Sequence, residues 1–320
     1  MSPESKTHEE MKKILVSLAA LFAAATMLSA QSMADATEIA KTANESLTAG
    51  ELETALVGFK EALKMAEACG DEGLELVATC KGIIPKILNN IANGLLKDKK
   101  YDEAIAKYQE TVAAATEYGD EELAVKASEK IPAVLYNKAN ALLAEKDFEG
   151  AVAAYDKVLE GDPTNGNAAF KKGEALRSAG KTDEAIEAYK IAAANGQEKN
   201  ANTRIGSIYL TNAQASLNAK KYADAIAAAN EAYEYSKNPN ALYLAGRASQ
   251  NAGKNADAIN YYEQYLEVAP DSKNAGAIAL QVGALYQQAK NNAKAKEFYQ
   301  KAVSDPKYGA DAQKALSSLK

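Results

Sequence analysis

Small and large apolar residues recur along this chain with the spacing of a helix. An alanine occurs at seven positions, and in six of them a ring follows four residues later, which places both on one helix face. Twelve residues before each alanine lies a second small residue. The pattern predicts pairs of antiparallel helices that approach most closely at the small residues, with the ring filling the gap to the next pair. The alanines are Ala55, Ala104, Ala151, Ala185, Ala225, Ala258 and Ala295; the rings are Phe59, Tyr108, Tyr155, Tyr189, Tyr262 and Tyr299, with Ala229 as the exception; the earlier small residues are Ala43, Ala92, Ala139, Gly173, Ala213, Gly246 and Gly283.

The steps from alanine to alanine are 49, 47, 34, 40, 33 and 37 residues, so the first two units are longer than the others. Each long step contains an apolar-periodic run that ends in a proline, at Ile84-Pro85 and at Ile131-Pro132. A proline is tolerated at a first helical position and kinks a helix interior. We therefore expect longer or kinked first helices and a different curvature in this half. One continuous array is preferred, and the alternative is two subdomains that meet near the turn-rich stretch 162–166.

The small–small–ring pattern, with units that close on Asp162-Pro163 or Ala269-Pro270, resembles the tetratricopeptide repeat, whose period is about 34 residues. The resemblance covers about Ala36 to Pro306. It implies an all-α fold, a right-handed α-solenoid of about seven helix pairs with a concave groove for protein or peptide ligands. The predicted organisation is N-terminal repeats with longer helices at 36–160, C-terminal repeats at 163–307 and a capping helix at 308–320.

The first thirty residues have the layout of a secretory signal. Lys12-Lys13 is followed by the uncharged, apolar run Ile14–Ala30, and small residues then supply a cleavage site. We expect cleavage after Ala30, or as second choice after Ala34, with translation starting at Met1 or Met11. A permanent membrane anchor is the alternative. The expected location of the mature protein is the periplasm of a Gram-negative bacterium, with no stable membrane anchor.

Charge and composition exclude several classes of function. The formal net charge of −6 comes from 37 basic and 43 acidic residues that are well mixed, which argues against nucleic acid as a partner. The single histidine, His8, lies upstream of the expected cleavage site, so catalytic triads and zinc sites that need histidine are not expected. The sequence predicts no enzyme activity, no cofactor and no metal site. Cys69 and Cys80 could pair in an oxidising compartment, although two buried small residues are the favoured interpretation.

Polar and aromatic residues on the predicted first helices are the candidate ligand-binding groups, because the resemblance places the groove there. Amide side chains can donate to and accept from a peptide backbone at once, and aromatic faces can cover apolar side chains. Two of the chain's three arginines fall in this set. The alternative is a solvated face on which Glu174 pairs with Arg177. The predicted groove residues are Asn89, Asn93, Tyr136, Asn137, Asn140, Phe170, Lys171, Arg177, Tyr243 and Arg247, and Thr211, Gln214 and Gln281 lie on the same predicted surface.

Some tetratricopeptide repeats clamp a C-terminal carboxylate with lysines and asparagines from three units. Asn93, Asn137 and Lys171 stand at three of the five positions of that clamp, whereas Asn89 and Asn167 stand where lysines are needed. The predicted function is thus a non-catalytic scaffold or adaptor that binds a peptide or protein segment of the envelope. The alternatives are a non-catalytic subunit of a carbohydrate-processing or export complex and a self-assembling structural protein. The oligomeric state is left open.

Overall fold

A computed structural model describes residues 32–319, and in this range the chain is helical and without strands. It divides between Gly161 and Asp162 into two compact units. Each unit is a series of antiparallel helix pairs, seven pairs in all across the described range, and the predicted all-α fold is confirmed. The helices of the first unit are α1 (32–49), α2 (Leu52–Ala68), α3 (Leu74–Lys97), α4 (Tyr101–Tyr118), α5 (Glu121–Ala144) and α6 (Phe148–Gly161). Those of the second unit are α7 (Gly166–Ser178), α8 (Thr182–Ala192), α9 (Glu198–Asn218), α10 (Tyr222–Ser236), α11 (Pro239–Asn251), α12 (Asn255–Val268), α13 (Ala275–Gln288), α14 (Asn292–Ala302) and α15 (Gly309–Ser318).

A tight turn joins the two helices of every pair, and one of its residues has a positive φ. In the α7–α8 turn, Gly180 has a φ of 79°, and the N–H of Lys181 donates to the carbonyl of Leu176 at 2.9 Å. This 6→1 bond is that of a Schellman motif, which ends a helix with a left-handed residue. Each such residue lies five positions before the repeated alanine, so the turns confirm the alignment of the units. The seven residues are Gly50, Lys99, Lys146, Gly180, Lys220, Gly253 and Lys290.

The first unit contains the two long first helices that the sequence predicts. Helices α3 and α5 each have 24 residues, and each contains a proline in its interior, Pro85 and Pro132. A short 3₁₀ turn, Gly70–Gly73, precedes α3. The added turns of α3 bury Cys80 and Ile84 in the core cluster that also holds Phe59. Cys69 donates its Sγ hydrogen bond to the carbonyl of Met65, and no disulfide joins the two cysteines.

The rings that follow the repeated alanines form the core of each pair. Tyr108, Tyr155, Tyr189 and Tyr262 are fully buried, as the repeated alanines are. Within the first unit, Tyr108 belongs to the same cluster as Val134 of the next first helix, in agreement with the predicted packing against the following pair. In three pairs of the second unit the small residue twelve positions before the alanine is a glycine, Gly173, Gly246 or Gly283, and a Cβ built on it would stand within 2.7 Å of the ring. In these pairs the glycine makes room for the tyrosine ring, whereas the sequence predicted a close approach of the two helix backbones.

The helix pairs are stabilised by burial of small and aromatic side chains.

No helix within residues 32–319 combines the length and the apolar character that a membrane crossing needs. The leader predicted at residues 1–30 lies outside the described range. The second-choice cleavage site, after Ala34, falls within the first turn of α1. Helix α15 packs on α14 and α13 through Ala312, in the region where a capping helix was predicted.

Candidate functional site

The hydroxyl groups of the buried tyrosines extend to the edge of each pair and bond to its first helix. In the first unit, Tyr108 donates to Asn93 Oδ1 at 2.7 Å, and Tyr155 donates to Asn140 Oδ1 at 2.8 Å. Asn93 Oδ1 also accepts from Lys130 Nζ at 2.9 Å. Two of the predicted groove residues therefore bind the tyrosine of their own pair with their amide oxygens, and that of Asn93 also binds the next first helix, α5. The partners in the second unit are Glu174 for Tyr189, Gln250 for Tyr262 and Gln287 for Tyr299.

The other predicted residues of the first unit surround this edge. Asn137 is exposed and, together with Asn140, lines a cavity of about 800 Å³ beside the α3–α4 turn. The salt bridge from Lys138 to Asp102, at 2.6 Å, closes one side of that cavity. Tyr136 is half-buried with its ring edge-on to Tyr155, at a centroid distance of 5.9 Å. Asn89 is half-buried one helical turn before Asn93.

In the second unit, the first helices α7 and α9 bring two arginines to one carboxylate. Arg204 Nε lies 2.9 Å from Glu174 Oε1, and Arg177 Nη2 lies 3.5 Å from Glu174 Oε2. The expected pairing of Glu174 with Arg177 is present, and Arg204 adds a second cation that the sequence analysis missed. The Tyr189 hydroxyl donates to the same carboxylate at 2.6 Å. Burial and this hydrogen bond both raise the pKa of Tyr189, so its hydroxyl stays protonated near neutral pH.

A polar cavity of about 210 Å³ lies beside these arginines. Its lining combines the two guanidinium groups with hydroxyl and amide groups from α8 and α9, and with Ile208 at its apolar side. Hydrogen bonding to Tyr189 and the charge of Glu174 raise the pKa of Arg177, which keeps the guanidinium charged. The residues that line the cavity are Arg177, Thr182, Arg204, Ser207, Ile208, Thr211 and Asn212.

A larger cavity of about 580 Å³ continues along α9 to α11 and shares Ser207 and Thr211 with the first. Its lining residues on α9 recur every three or four positions, so they form one stripe on the helix surface. Gln214 Nε2 donates to Asn218 Oδ1 at 2.8 Å within that stripe. We call the surface formed by both cavities the first-helix face of the second unit. The larger cavity is lined by Ser207, Leu210, Thr211, Gln214, Ala215, Asn218, Asn240, Tyr243, Leu244 and Asn274.

Tyr243 and Arg247 lie together on α11 as the sequence predicts. The Arg247 guanidinium stands over the Tyr243 ring, 5.5 Å from its centroid. The same ring packs at 6.3 Å from Tyr262 and from Tyr265. Tyr243 is half-buried, and its exposed part lines the larger cavity. On α13, Gln281 donates to Gln250, which links two consecutive first helices.

Phe170 and Lys171 on α7 are both half-buried. The Phe170 ring lies 5.4 Å from that of Tyr189, so its main contact is with the interior of its own pair. The face of the second unit also contains residues that the sequence analysis did not name, among them Arg204, Asn240 and Asn274. The signal for Arg204 was present, because it lies three residues before Ser207 and seven before Thr211, in register with the polar stripe of α9.

No cluster of metal-binding side chains occurs in residues 32–319. The repeat itself is recognised by family models. Tetratricopeptide-repeat models match residues 136–200, 240–272 and 278–304. The chain is a tetratricopeptide-repeat protein. These matches cover the third helix pair from residue 136 onward and most of the second unit, where the steps between repeated alanines are closest to the period of the family.

Solved structures with the same kind of repeat are similar to this chain at low identity. A crystal structure of MamA protein is 23% identical over 57% of this chain and 96% of that one, with a TM-score of 0.34. A crystal structure of YrrB, described as a TPR protein with an unusual peptide-binding site, is 22% identical over 61% of this chain and 96% of that one, with a TM-score of 0.32. The TPR domain of P58(IPK) is 17% identical over 89% of this chain and 97% of that one, with a TM-score of 0.27. No curated protein matches the chain.

Proposed function

We propose that this tetratricopeptide-repeat protein is a non-catalytic scaffold that binds an extended segment of another protein on the first-helix face of the second unit. The observation that carries the proposal is the cavity of about 580 Å³ on α9 and α11. Its lining combines the apolar side chains of Leu210 and Leu244 with the amide groups of Gln214, Asn218 and Asn240. Amides that donate and accept match the backbone of an extended peptide, while the leucines match its side chains.

The proposed setting is the periplasm, and the proposed partner is a protein of the cell envelope. The basis is the sequence of the leader, Lys12-Lys13 followed by the uncharged run Ile14–Ala30. Mature protein isolated from a Gram-negative periplasm should begin at Gln31, or at Asp35 if the second-choice site is used. An intact Met1 or Met11 terminus on protein from the soluble cytoplasmic fraction would overturn this setting and leave the binding surface unaffected.

Site-specific photo-crosslinking tests the binding surface directly. A benzoylphenylalanine replaces Gln214 on the proposed surface or, as the control, Lys190, which lies on the second helix α8 and pairs with Glu187 at 2.8 Å. We expect crosslinks to a partner protein in envelope extracts from position 214 and none from position 190. Crosslinks from position 190 alone would place binding on the second helices and overturn the assignment of the surface. Crosslinks only between copies of the chain would favour a self-assembling protein.

A further inference from the structure

All three arginines of the chain lie on first helices of the second unit, at Arg177, Arg204 and Arg247. Arg247 is engaged with the Tyr243 ring, while the other two converge on Glu174. Elsewhere in the sequence the basic residues of the mature region are lysines. Arginine differs from lysine in presenting five N–H donors in a planar fork, which suits paired binding of a carboxylate. Two such guanidinium groups, those of Arg177 and Arg204, therefore lie together at Glu174.

Glu174 is less exposed than the two arginines that it binds. Its side chain is 19% exposed, whereas those of Arg177 and Arg204 are 46% and 47% exposed. Nη2 of Arg177 and Nε of Arg204 make contact with the carboxylate, at 3.5 and 2.9 Å. Two guanidinium groups meet one carboxylate, so basic groups outnumber acidic ones at this point. Because Arg177 also hydrogen-bonds to Tyr189, the carboxylate and this hydroxyl together form a partly buried anchor for two guanidinium side chains that remain nearly half exposed.

A hydrogen bond from the second helix of the same pair fixes the position of Glu174. The Tyr189 hydroxyl donates to its Oε1 at 2.6 Å, and the Tyr189 ring is fully buried beneath Gly173. An anchor held in this way reduces the side-chain freedom that two long arginines would lose when a ligand binds. The site is therefore partly organised before any ligand arrives.

The cavity of about 210 Å³ at these arginines offers hydroxyl groups from Ser207 and Thr211 and the amide of Asn212. Its lining contains no acidic residue. Because it shares Ser207 and Thr211 with the larger cavity, a single ligand can occupy both. Gln214 and Arg204 lie ten residues apart on α9, about 15 Å along the helix axis, so an extended backbone beside Gln214 would reach Arg204 about four or five residues further on.

We propose that the peptide bound by this face carries an aspartate or glutamate whose side chain enters the cavity between α7 and α9 and bonds to Arg177 and Arg204. This inference rests on the proposed peptide-binding function and adds the chemical class of the ligand. The carboxylate binds as a second acceptor for guanidinium groups that Glu174 already orients. Charge-assisted pairs of this kind are stronger than neutral hydrogen bonds and depend on geometry.

The test uses the full mature chain, immobilised, and a library of twelve-residue peptides with one fixed position. The fixed residue is Glu, Asp, Gln, Ala or Lys, and the other positions are randomised. Retained peptides are quantified by mass spectrometry. We expect Glu or Asp peptides to be retained about tenfold over the matched Gln peptides, and the ratio to fall as NaCl is raised, since charge-assisted contacts add roughly this much.

The variants are Arg204→Gln, Arg204→Lys and the control Lys190→Gln, which removes the same charge from a side chain of similar exposure on α8. Arg204→Gln should abolish the preference for acid, Arg204→Lys should reduce it while keeping the ion pair with Glu174, and Lys190→Gln should leave it unchanged. Equal retention of Glu and Gln peptides by the wild-type chain would overturn this inference and leave the peptide-binding function in place. No retention of any peptide would overturn both.

Discussion

The ring of Tyr262 lies so close to Gly246 that a Cβ built on the glycine would stand 2.5 Å from the ring carbon Cε1. The same relationship joins Gly173 to Tyr189 and Gly283 to Tyr299, at 2.7 and 2.5 Å. In each case the glycine is on the first helix and the tyrosine on the second helix of one pair. The glycine is therefore required by the ring of its own pair, since any side chain would separate the two helices.

Gly246→Ala should destabilise the protein by about 1 to 3 kcal/mol, the cost of overpacking a well-filled core. The control is Gly94→Ala in α3, where an added Cβ meets no atom within 4 Å. In that helix interior alanine should stabilise the protein by about 0.5 to 1 kcal/mol because it loses less backbone entropy than glycine. Urea unfolding measures both changes, and a similar stability for the two variants would contradict the proposed ring contact.

A second prediction concerns the left-handed residues of the turns. Four of the seven are lysines, at Lys99, Lys146, Lys220 and Lys290, with φ between 58° and 65°. This conformation is unfavourable for a residue with a Cβ and open to glycine. Lys220→Gly should raise the free energy of unfolding by about 0.5 to 1 kcal/mol after the added freedom of the unfolded chain is counted.

Gly180→Ala, at the equivalent turn with a φ of 79°, should lower the free energy of unfolding by about 1 kcal/mol. An added Cβ meets no atom within 4 Å there, so the change tests backbone conformation alone. Both variants are compared with wild type by denaturant midpoint at constant m-value. The prediction is contradicted if the two substitutions shift the midpoint in the same direction.

The register of the helix pairs could be predicted from the sequence because it depends on a steric requirement that recurs in successive pairs. A small residue and an alanine occur in every pair and a ring in six of the seven, so the period is visible even where the loops differ in length. The roles of Asn93 and Asn140 could not be read in this way. Both were assigned to a ligand groove, and in the structure their amide oxygens accept hydrogen bonds from Tyr108 and Tyr155.

The partner of a tyrosine hydroxyl is fixed by rotamers and helix offsets that composition does not reveal. It lies fifteen residues before Tyr189 but twelve before Tyr262. Arg204 was missed for another reason. Helix α9 begins after a break at Asn195 and Gly196, where the backbone leaves helical geometry, so the start of this first helix was hidden in a 40-residue step.

The buried tyrosines predict a loss of stability at alkaline pH. Burial raises the pKa of Tyr262 above the value of about 10 that tyrosine has in an unfolded chain. Above pH 10 Tyr262 is ionised in the unfolded chain but not in the folded chain, so ionisation stabilises the unfolded state relative to the folded one. The contribution of Tyr262 to the free energy of unfolding is fully present below pH 10. Well above pH 10 it declines by about 1.4 kcal/mol per pH unit until the folded-state pKa is reached.

Tyr262→Phe removes this group at small structural cost, because its hydrogen bond to Gln250 is long, at 3.3 Å. Urea melts at pH 7, 10 and 11 should show that the variant loses less stability than wild type between pH 10 and 11, by about 1 kcal/mol, because at pH 10 the unfolded tyrosine is already half ionised. Parallel stability curves for the two proteins would show that Tyr262 ionises as freely when folded as when unfolded.

The last prediction separates a hydrogen-bonded asparagine of α5 from an exposed one. Asn140 Oδ1 accepts from the buried Tyr155 hydroxyl at 2.8 Å, whereas Asn137, three residues earlier, is exposed. Asn140→Ala leaves that hydroxyl without its acceptor, which should cost about 1 to 3 kcal/mol. Asn137→Ala should change the free energy of unfolding by less than about 0.5 kcal/mol.

A double-mutant cycle with Tyr155→Phe completes the comparison. If the hydrogen bond is the reason for the loss, Asn140→Ala should cost less in the Tyr155→Phe background, because no hydroxyl is then left unpaired. Asn137→Ala should cost the same in both backgrounds. Additive effects of Asn140→Ala and Tyr155→Phe would mean that the asparagine acts through contacts other than the tyrosine, and its assignment to the ligand-binding surface would then regain support.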